Sequence, residues 1–213
     1  MVNIMKKSTR LISLAALAVL GAAGCGQPQE QTSENAVIES IMARRSIRKY
    51  KDQSVEREKL QQIAVCGVNA PNGMNQQTWE VRIVDSKAAI DSVTAVFTAA
   101  NPEMVSRDEN FKNMFRNAPA VIAIAVPEGD SCINAGLMAE NMILSAESLG
   151  LGTCCLGGPV AFLKTNPDAA WFLEGLKFSE GYELCLMIAV GYPDETPEAK
   201  PRDLGKIQFV DFE

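Results

Sequence analysis

The chain has 213 residues, room for one ordinary domain and a short extension. Hydrophobic residues are 47% and charged residues 22%, the balance of a globular chain and not of a disordered one. A net charge of -6 excludes a general nucleic-acid binder, and the absence of histidine excludes Ser-His-Asp and Cys-His catalysis, His-ligated zinc and His-held haem.

Lys6, Lys7 and Arg10 precede an apolar run from Leu11 to Ala23 that is too short to span a bilayer as a helix. A basic start, a short apolar core and small residues before a break form the secretory-signal pattern. The break, Ala22-Ala23-Gly24-Cys25, resembles the lipobox of bacterial lipoproteins, with Ala22 where Leu is commoner. That resemblance implies acylation of Cys25 and an exported protein anchored to a membrane of a bacterial envelope, facing the periplasm or the cell surface. A plain signal peptide cleaved nearby and an uncleaved tail remain open. The expected organisation is a signal peptide over 1–24, a flexible tether over 25–35 rich in Gln, Glu and Pro, and a folded domain over 36–213.

A helix is predicted from about Glu34 to Arg44, capped by Ser33, with Val37, Ile38, Ile41 and Met42 on one apolar face. Ser54 is the expected cap of a second helix carrying Leu60, Ile63, Ala64 and Gly67. Asn69 to Gln77 reads as a loop, and Trp79 to Ile83 alternates as a half-buried strand. Ser86 opens a helix with Ile90, Val93 and Phe97. Asn101 to Asn117 reads as a surface helix or lid with Phe111 and Phe115 at helical spacing. Ala118 to Val126 is a central strand, Ser131 to Leu149 a largely apolar helix stopped by Gly150, and Pro167 to Leu176 a short helix. Leu184 to Val190 is a second buried strand, and Ile207 to Phe212 is a candidate edge strand. Three or four strands with about six helices in no regular alternation indicate an α+β fold.

With Cys25 assigned to lipid, Cys66, Cys132, Cys154, Cys155 and Cys185 remain, an odd number that is no disulfide framework. They are expected to behave as small core hydrophobes. Cys154-Cys155 is tempting as a redox or metal pair, but no second ligand pair stands at zinc spacing, so no metal is expected.

Four clusters carry chemistry. Arg44-Arg45-Ser46-Ile47-Arg48 offers planar forks that match phosphate oxygens, or equally a basic turn at a helix C-terminus. The loop Ala70-Pro71-Asn72-Gly73-Met74-Asn75-Gln76-Gln77-Thr78-Trp79 delivers amides suited to a heterocycle edge, or simply connects a helix to a strand. Gly150 to Pro159 is glycine-rich but is neither a P-loop nor G-x-G-x-x-G, and suits either a ligand at its backbone or tight packing. Gly191-Tyr192-Pro193 followed by Lys200 and Arg202 puts two cations on one side of an extended tail.

In this order, over about Ala36 to Arg202, the four clusters resemble the FMN-dependent nitroreductase family. The resemblance implies an α+β domain with a central, mostly antiparallel sheet flanked by helices, dimeric with C-terminal arm exchange and with flavins at the subunit interface. It implies that Arg44, Arg45, Ser46 and Arg48 hold the FMN phosphate and ribityl groups, with Lys200 and Arg202 completing the clamp. Asn75 and Gln77 would lie at the isoalloxazine end, and the backbone of Leu156, Gly157 and Gly158 would face the ring. Asn72-Gly73 and Thr78 depart from the family pattern on the substrate side.

The implied activity is ping-pong reduction: NAD(P)H or another donor passes a hydride to flavin N5, and an electron-poor acceptor such as a nitroaromatic or quinone takes it on. The catalytic chemistry then belongs to the flavin and to no side chain, which suits a chain without histidine. A reductive dehalogenase, a flavin-fragmenting relative and a non-catalytic flavin-carrying lipoprotein stay open as alternatives.

Overall fold

The computed structural model describes residues 35–212. The signal peptide, Cys25, Ser33 and the tether as far as residue 34 lie outside them. The first helix, α1 (Ala36–Ala43), starts at Asn35, whose side-chain oxygen accepts from the N–H groups of Val37 and Ile38. Asn35 thus does the capping expected of Ser33. No residue of α1 is buried, and Val37, Ile38, Ile41 and Met42 present an open apolar face.

Helix α2 (Arg57–Val68) begins after Glu56 and not at Ser54, and buries Leu60, Ile63, Ala64 and Gly67. A short 3-10 turn over Gly73–Asn75 leads to β1 (Glu80–Val84). Helix α3 (Lys87–Ala100) is capped by the Ser86 side chain, as expected, and buries Ile90, Val93 and Phe97. The expected surface helix over 101–117 is mostly absent. Helix α4 covers Pro102–Ser106, and the remainder turns back with Arg116 and Asn117 at positive φ. The reason is the pair of phenylalanines. Phe115 is fully buried and Phe111 stacks on Phe97 at 6.1 Å, so both anchor the segment inward, which one exposed helix could not do.

The chain continues through β2 (Ala120–Pro127), α5 (Ile133–Ser148), β3 (Gly152–Cys155), α6 (Gly157–Thr165), α7 (Ala170–Gly175) and β4 (Tyr182–Gly191). The sheet is antiparallel throughout in the order β1-β2-β4-β3. The two continuous apolar runs, β2 and β4, take its centre because both of their faces are covered. One face packs on α3, α6 and α7 through Phe97, Leu163 and Phe172; the other packs on α2 and α5. Gly67 lets α2 approach α5 closely at the second: a Cβ there would stand 2.6 Å from Met142 Cγ and 3.1 Å from Met138 Cγ.

Cysteine usage differs from expectation. Cys132 and Cys185 form a disulfide, with their Cα atoms 6.3 Å apart. The cause is a β-bulge. Ile124 pairs with Leu186 and Ala125 with Leu184, which leaves Cys185 unpaired. Cys185 and Leu186 then both face the α2/α5 layer, and Cys185 reaches the start of α5. Cys66, Cys154 and Cys155 are free; Cys154 is buried as a core thiol should be, whereas Cys66 is half-buried and Cys155, at the end of β3, is exposed, against expectation. Ile207–Phe212 forms no strand; its apolar side chains are exposed. The outer edge of β3 cannot receive it, because Ser46 bridges Thr153 there.

Candidate functional site

The chain leaves α1 at Arg44 and runs along the open edge of β3. Ile47 N–H donates to the Thr153 carbonyl at 2.8 Å, and Ile47 packs over Gly152. The buried Tyr50 hydroxyl donates to the Ile47 carbonyl at 2.7 Å and closes the turn. Burial, then the charges of Cys154 and Glu195, push this phenol well above its usual range against the pull of Arg48, so it stays a donor. Beyond Tyr50 the turn pairs with the start of the C-terminal arm. Lys51 N–H donates to the Tyr192 carbonyl and Asp194 N–H to the Lys49 carbonyl, both at 2.9 Å. Tyr192 is itself fixed: its hydroxyl donates to Glu56 and accepts from Lys59, each at 2.7 Å.

The four residues of the basic cluster have different partners. Arg44 faces Glu140 of α5 at 3.5 Å. Arg45 turns back and donates through Nη1 to the carbonyls of Met42, Ala43 and Arg44, satisfying the end of α1, while its buried Nε has no partner among the described residues. Ser46 holds the bridge to β3. Arg48 is exposed and borders a cavity of about 660 Å³ together with Lys49, Glu195, Gly158 and the 101–117 segment. Leu156 N–H is committed to the Met187 carbonyl at 2.9 Å, and Gly157 and Gly158 open α6 with free space where a Cβ would stand. The glycine-rich stretch is therefore a strand and a helix N-terminus and not a loop.

Cys155 lies beside this junction. Burial first, then Cys154 and Glu140, raise its thiol pKa against the pull of Arg44. Cys155 is nonetheless exposed, so the raised pKa and not access sets its reactivity. Iodoacetamide at pH 8 is expected to modify Cys155 several-fold more slowly than free glutathione, read by mass spectrometry; an equal or faster rate would contradict a thiol held protonated.

The amide loop lies elsewhere. Met74, Asn75 and Gln77 are all at positive φ, an unusual concentration for residues other than glycine, and Asn72 holds the Gln77 N–H at 2.9 Å. Glu80, just after this loop, pairs with Ala125 on β2. Ser46 instead sits beside Thr153, whose partner Val190 faces Ala120. The two places are opposite corners of the sheet, on the order of 20 Å apart by strand rise and spacing. One protomer therefore does not bring Asn75 and Gln77 to Arg48. Lys200 lies five residues beyond Glu195, within at most about 18 Å of chain from the Arg48 turn. Arg202 donates to the Lys200 carbonyl at 2.9 Å.

The nitroreductase family model matches residues 41–192. The chain belongs to the nitroreductase family. An NADPH-flavin oxidoreductase of Vibrio harveyi is 30% identical over 174 residues, spanning 79% of this chain and 70% of that protein. A nitroreductase from Desulfitobacterium hafniense solved with bound FMN superposes with a TM-score of 0.72 at 26% identity, covering 83% of this chain and 99% of its own. An FMN-dependent nitroreductase from Clostridium difficile gives 0.68 at 26% identity, covering 83% and 99%.

Membership accounts for the order of the clusters but not for every residue on the cavity wall. Lys49 and Glu195, both on the cavity wall, were absent from the expected set. Lys49 was legible, as the next cation after Arg48. Glu195 was not, because its partner is backbone 146 residues away. The donor set fits a phosphorylated flavin: the unpartnered Arg45 Nε and the Arg48 guanidinium lie on one turn, with the arm that carries Lys200 and Arg202 paired to it.

Proposed function

We propose that the chain is an FMN-dependent oxidoreductase that acts as a homodimer, taking electrons from NAD(P)H or another donor and delivering them to electron-poor acceptors such as nitroaromatics and quinones. The observation that carries this reading is the pairing of the Arg48 turn with the root of the C-terminal arm, the segment that leads within a few residues to Lys200 and Arg202. Bound FMN supplies the hydride chemistry in alternating half-reactions. Arg45, Ser46, Arg48, Lys200 and Arg202 would hold its phosphate and ribityl groups. Gly157 and Gly158 leave the wall at the start of α6 open to close approach.

The separation of the amide loop from the clamp supports the dimer: Asn75 and Gln77 complete the site only from a second copy. Its interface has ready material in the open apolar face of α1, in Ile133 and Leu137 on α5, and in Phe209 and Phe212 of the arm.

Apo protein titrated with FMN is expected to take up one flavin per chain and turn yellow, and NADH or NADPH in stopped flow tests the donor by bleaching. Arg202→Ala should weaken FMN binding by about tenfold to a hundredfold with thermal stability unchanged. Absence of flavin uptake, or full retention in Arg202→Ala, overturns the respective assignments.

Export and anchoring through Cys25 form the second part of the proposal. The basic and apolar start with Cys25 at its end supports it, and so does the Cys132–Cys185 disulfide, a bond favoured in oxidising compartments. Nicotinamides are cytosolic, so an exported enzyme draws on a quinol or a redox partner. Labelling with radioactive palmitate that disappears in Cys25→Ser is the expected result; label that persists, or none in the unaltered protein, overturns anchoring at Cys25.

A further inference from the structure

We infer that Glu195 is the positioning residue of the cofactor clamp. Its Oε1 accepts from two consecutive backbone N–H groups, Arg48 at 2.5 Å and Lys49 at 3.2 Å. This half-buried carboxylate comes from the root of the arm and crosses to the turn that carries Arg48. Around it the two segments are already joined by Lys51 N–H to the Tyr192 carbonyl and by Asp194 N–H to the Lys49 carbonyl. Those backbone pairs set the two strands side by side. They do not fix the angle at which residues 48 and 49 leave the sheet edge. The Glu195 bond does, because it holds the peptide planes on both sides of Arg48.

Two consequences follow from the chemistry. The Arg48 and Lys49 N–H groups form a small anion-accepting concavity, and the chain's own carboxylate fills it. An anionic ligand must therefore be met by side-chain tips and not by this backbone. Glu195 also lines the same cavity wall as Arg48, Lys49 and Gly158, so it holds the turn at the edge of the site itself. What it supplies is an acceptor oxygen; its negative charge opposes a phosphate nearby. Removing the charge but keeping the oxygen should preserve or slightly strengthen phosphate binding, and removing the oxygen should weaken it. This assignment rests on the FMN reading above.

The test uses the full-length purified protein, FMN and riboflavin, which differ by the phosphate. Glu195→Ala is expected to raise the FMN dissociation constant about tenfold and leave that of riboflavin within twofold. Glu195→Gln is expected to restore FMN affinity to that of the unaltered chain or better. Residue-resolved amide exchange on the apo protein should show Arg48 and Lys49 losing protection in Glu195→Ala and regaining it in Glu195→Gln. Equal weakening of FMN and riboflavin, no rescue by glutamine, or unchanged protection of both amides overturns the assignment. If the unaltered chain binds neither flavin, the cofactor reading falls and the positioning role falls with it, while the exchange data still decide the hydrogen bond.

Discussion

Gly152→Ala is expected to lower FMN affinity at least tenfold and to destabilise the domain by about 1–3 kcal/mol, the usual cost of overpacking. The added Cβ would stand 2.6 Å from Ile47 Cγ1 and 2.8 Å from Ile47 Cβ, distances that no rotamer change relieves because one of the atoms is itself a Cβ. Ile47 cannot sink further, since it is already buried in the layer that holds Cys154 and Leu156. Nor can it slide, since its N–H is held by Thr153 and its carbonyl by Tyr50. The segment must lift from β3, and Ser46 and Arg48 move with it. Thermal denaturation reads the stability change and fluorescence titration reads the affinity. Gly157→Ala is the packing control, because nothing lies within 4 Å of the Cβ it would add, and its stability should match or exceed the unaltered chain. A Gly152→Ala protein with unaltered melting and unaltered FMN affinity would show that the close approach of Ile47 does not govern the clamp.

The same contact shows why the glycine-rich stretch was hard to read. Gly152 is required because another segment of chain crosses it, and that segment lies more than a hundred residues earlier. Sequence periodicity reports a residue's own element and not the chain that crosses it. The four-residue strand Gly152–Cys155 is too short for a period of two to stand out, so β3 and α6 were both missed. Long apolar runs were legible for the opposite reason: β2 and β4 are buried on both faces, and composition alone marks that state. Ser86 was legible because a cap acts within one turn. Arg45 illustrates the middle case. Its type pointed equally to a phosphate clamp and to a helix end, and the structure gives it the last two carbonyls of α1 and that of Arg44, with an Nε that has no partner among the described residues. The disulfide was illegible because assigning Cys25 to lipid leaves five cysteines, and the bulge that turns Cys185 toward α5 leaves no trace in the local pattern.

Removing the Cys132–Cys185 bond is expected to cost about 4 kcal/mol, from the loop entropy it withholds from the unfolded chain. The two cysteines are 53 residues apart, and the loop they close contains α5, β3, α6 and α7. Urea denaturation of the double variant Cys132→Ala/Cys185→Ala should shift the midpoint down, and reductant should shift the unaltered protein to the same place. Cys132→Ala alone should cost nearly as much as the pair, because either substitution breaks the one bond. Coincident midpoints for oxidised, reduced and substituted proteins would show that the bond contributes nothing. Against a typical total of about 5–15 kcal/mol, a loss of this size leaves little reserve. The domain's stability is thereby tied to its compartment: in a glutathione-buffered cytosol the bond would not persist, and beyond the inner membrane it would. Alkylation of intact cells, followed by mass analysis of Cys132 and Cys185, reads that directly. Oxidised cysteines are the expected result for an exported protein, and fully reduced ones in the native cell would overturn export and leave nicotinamide as the accessible donor.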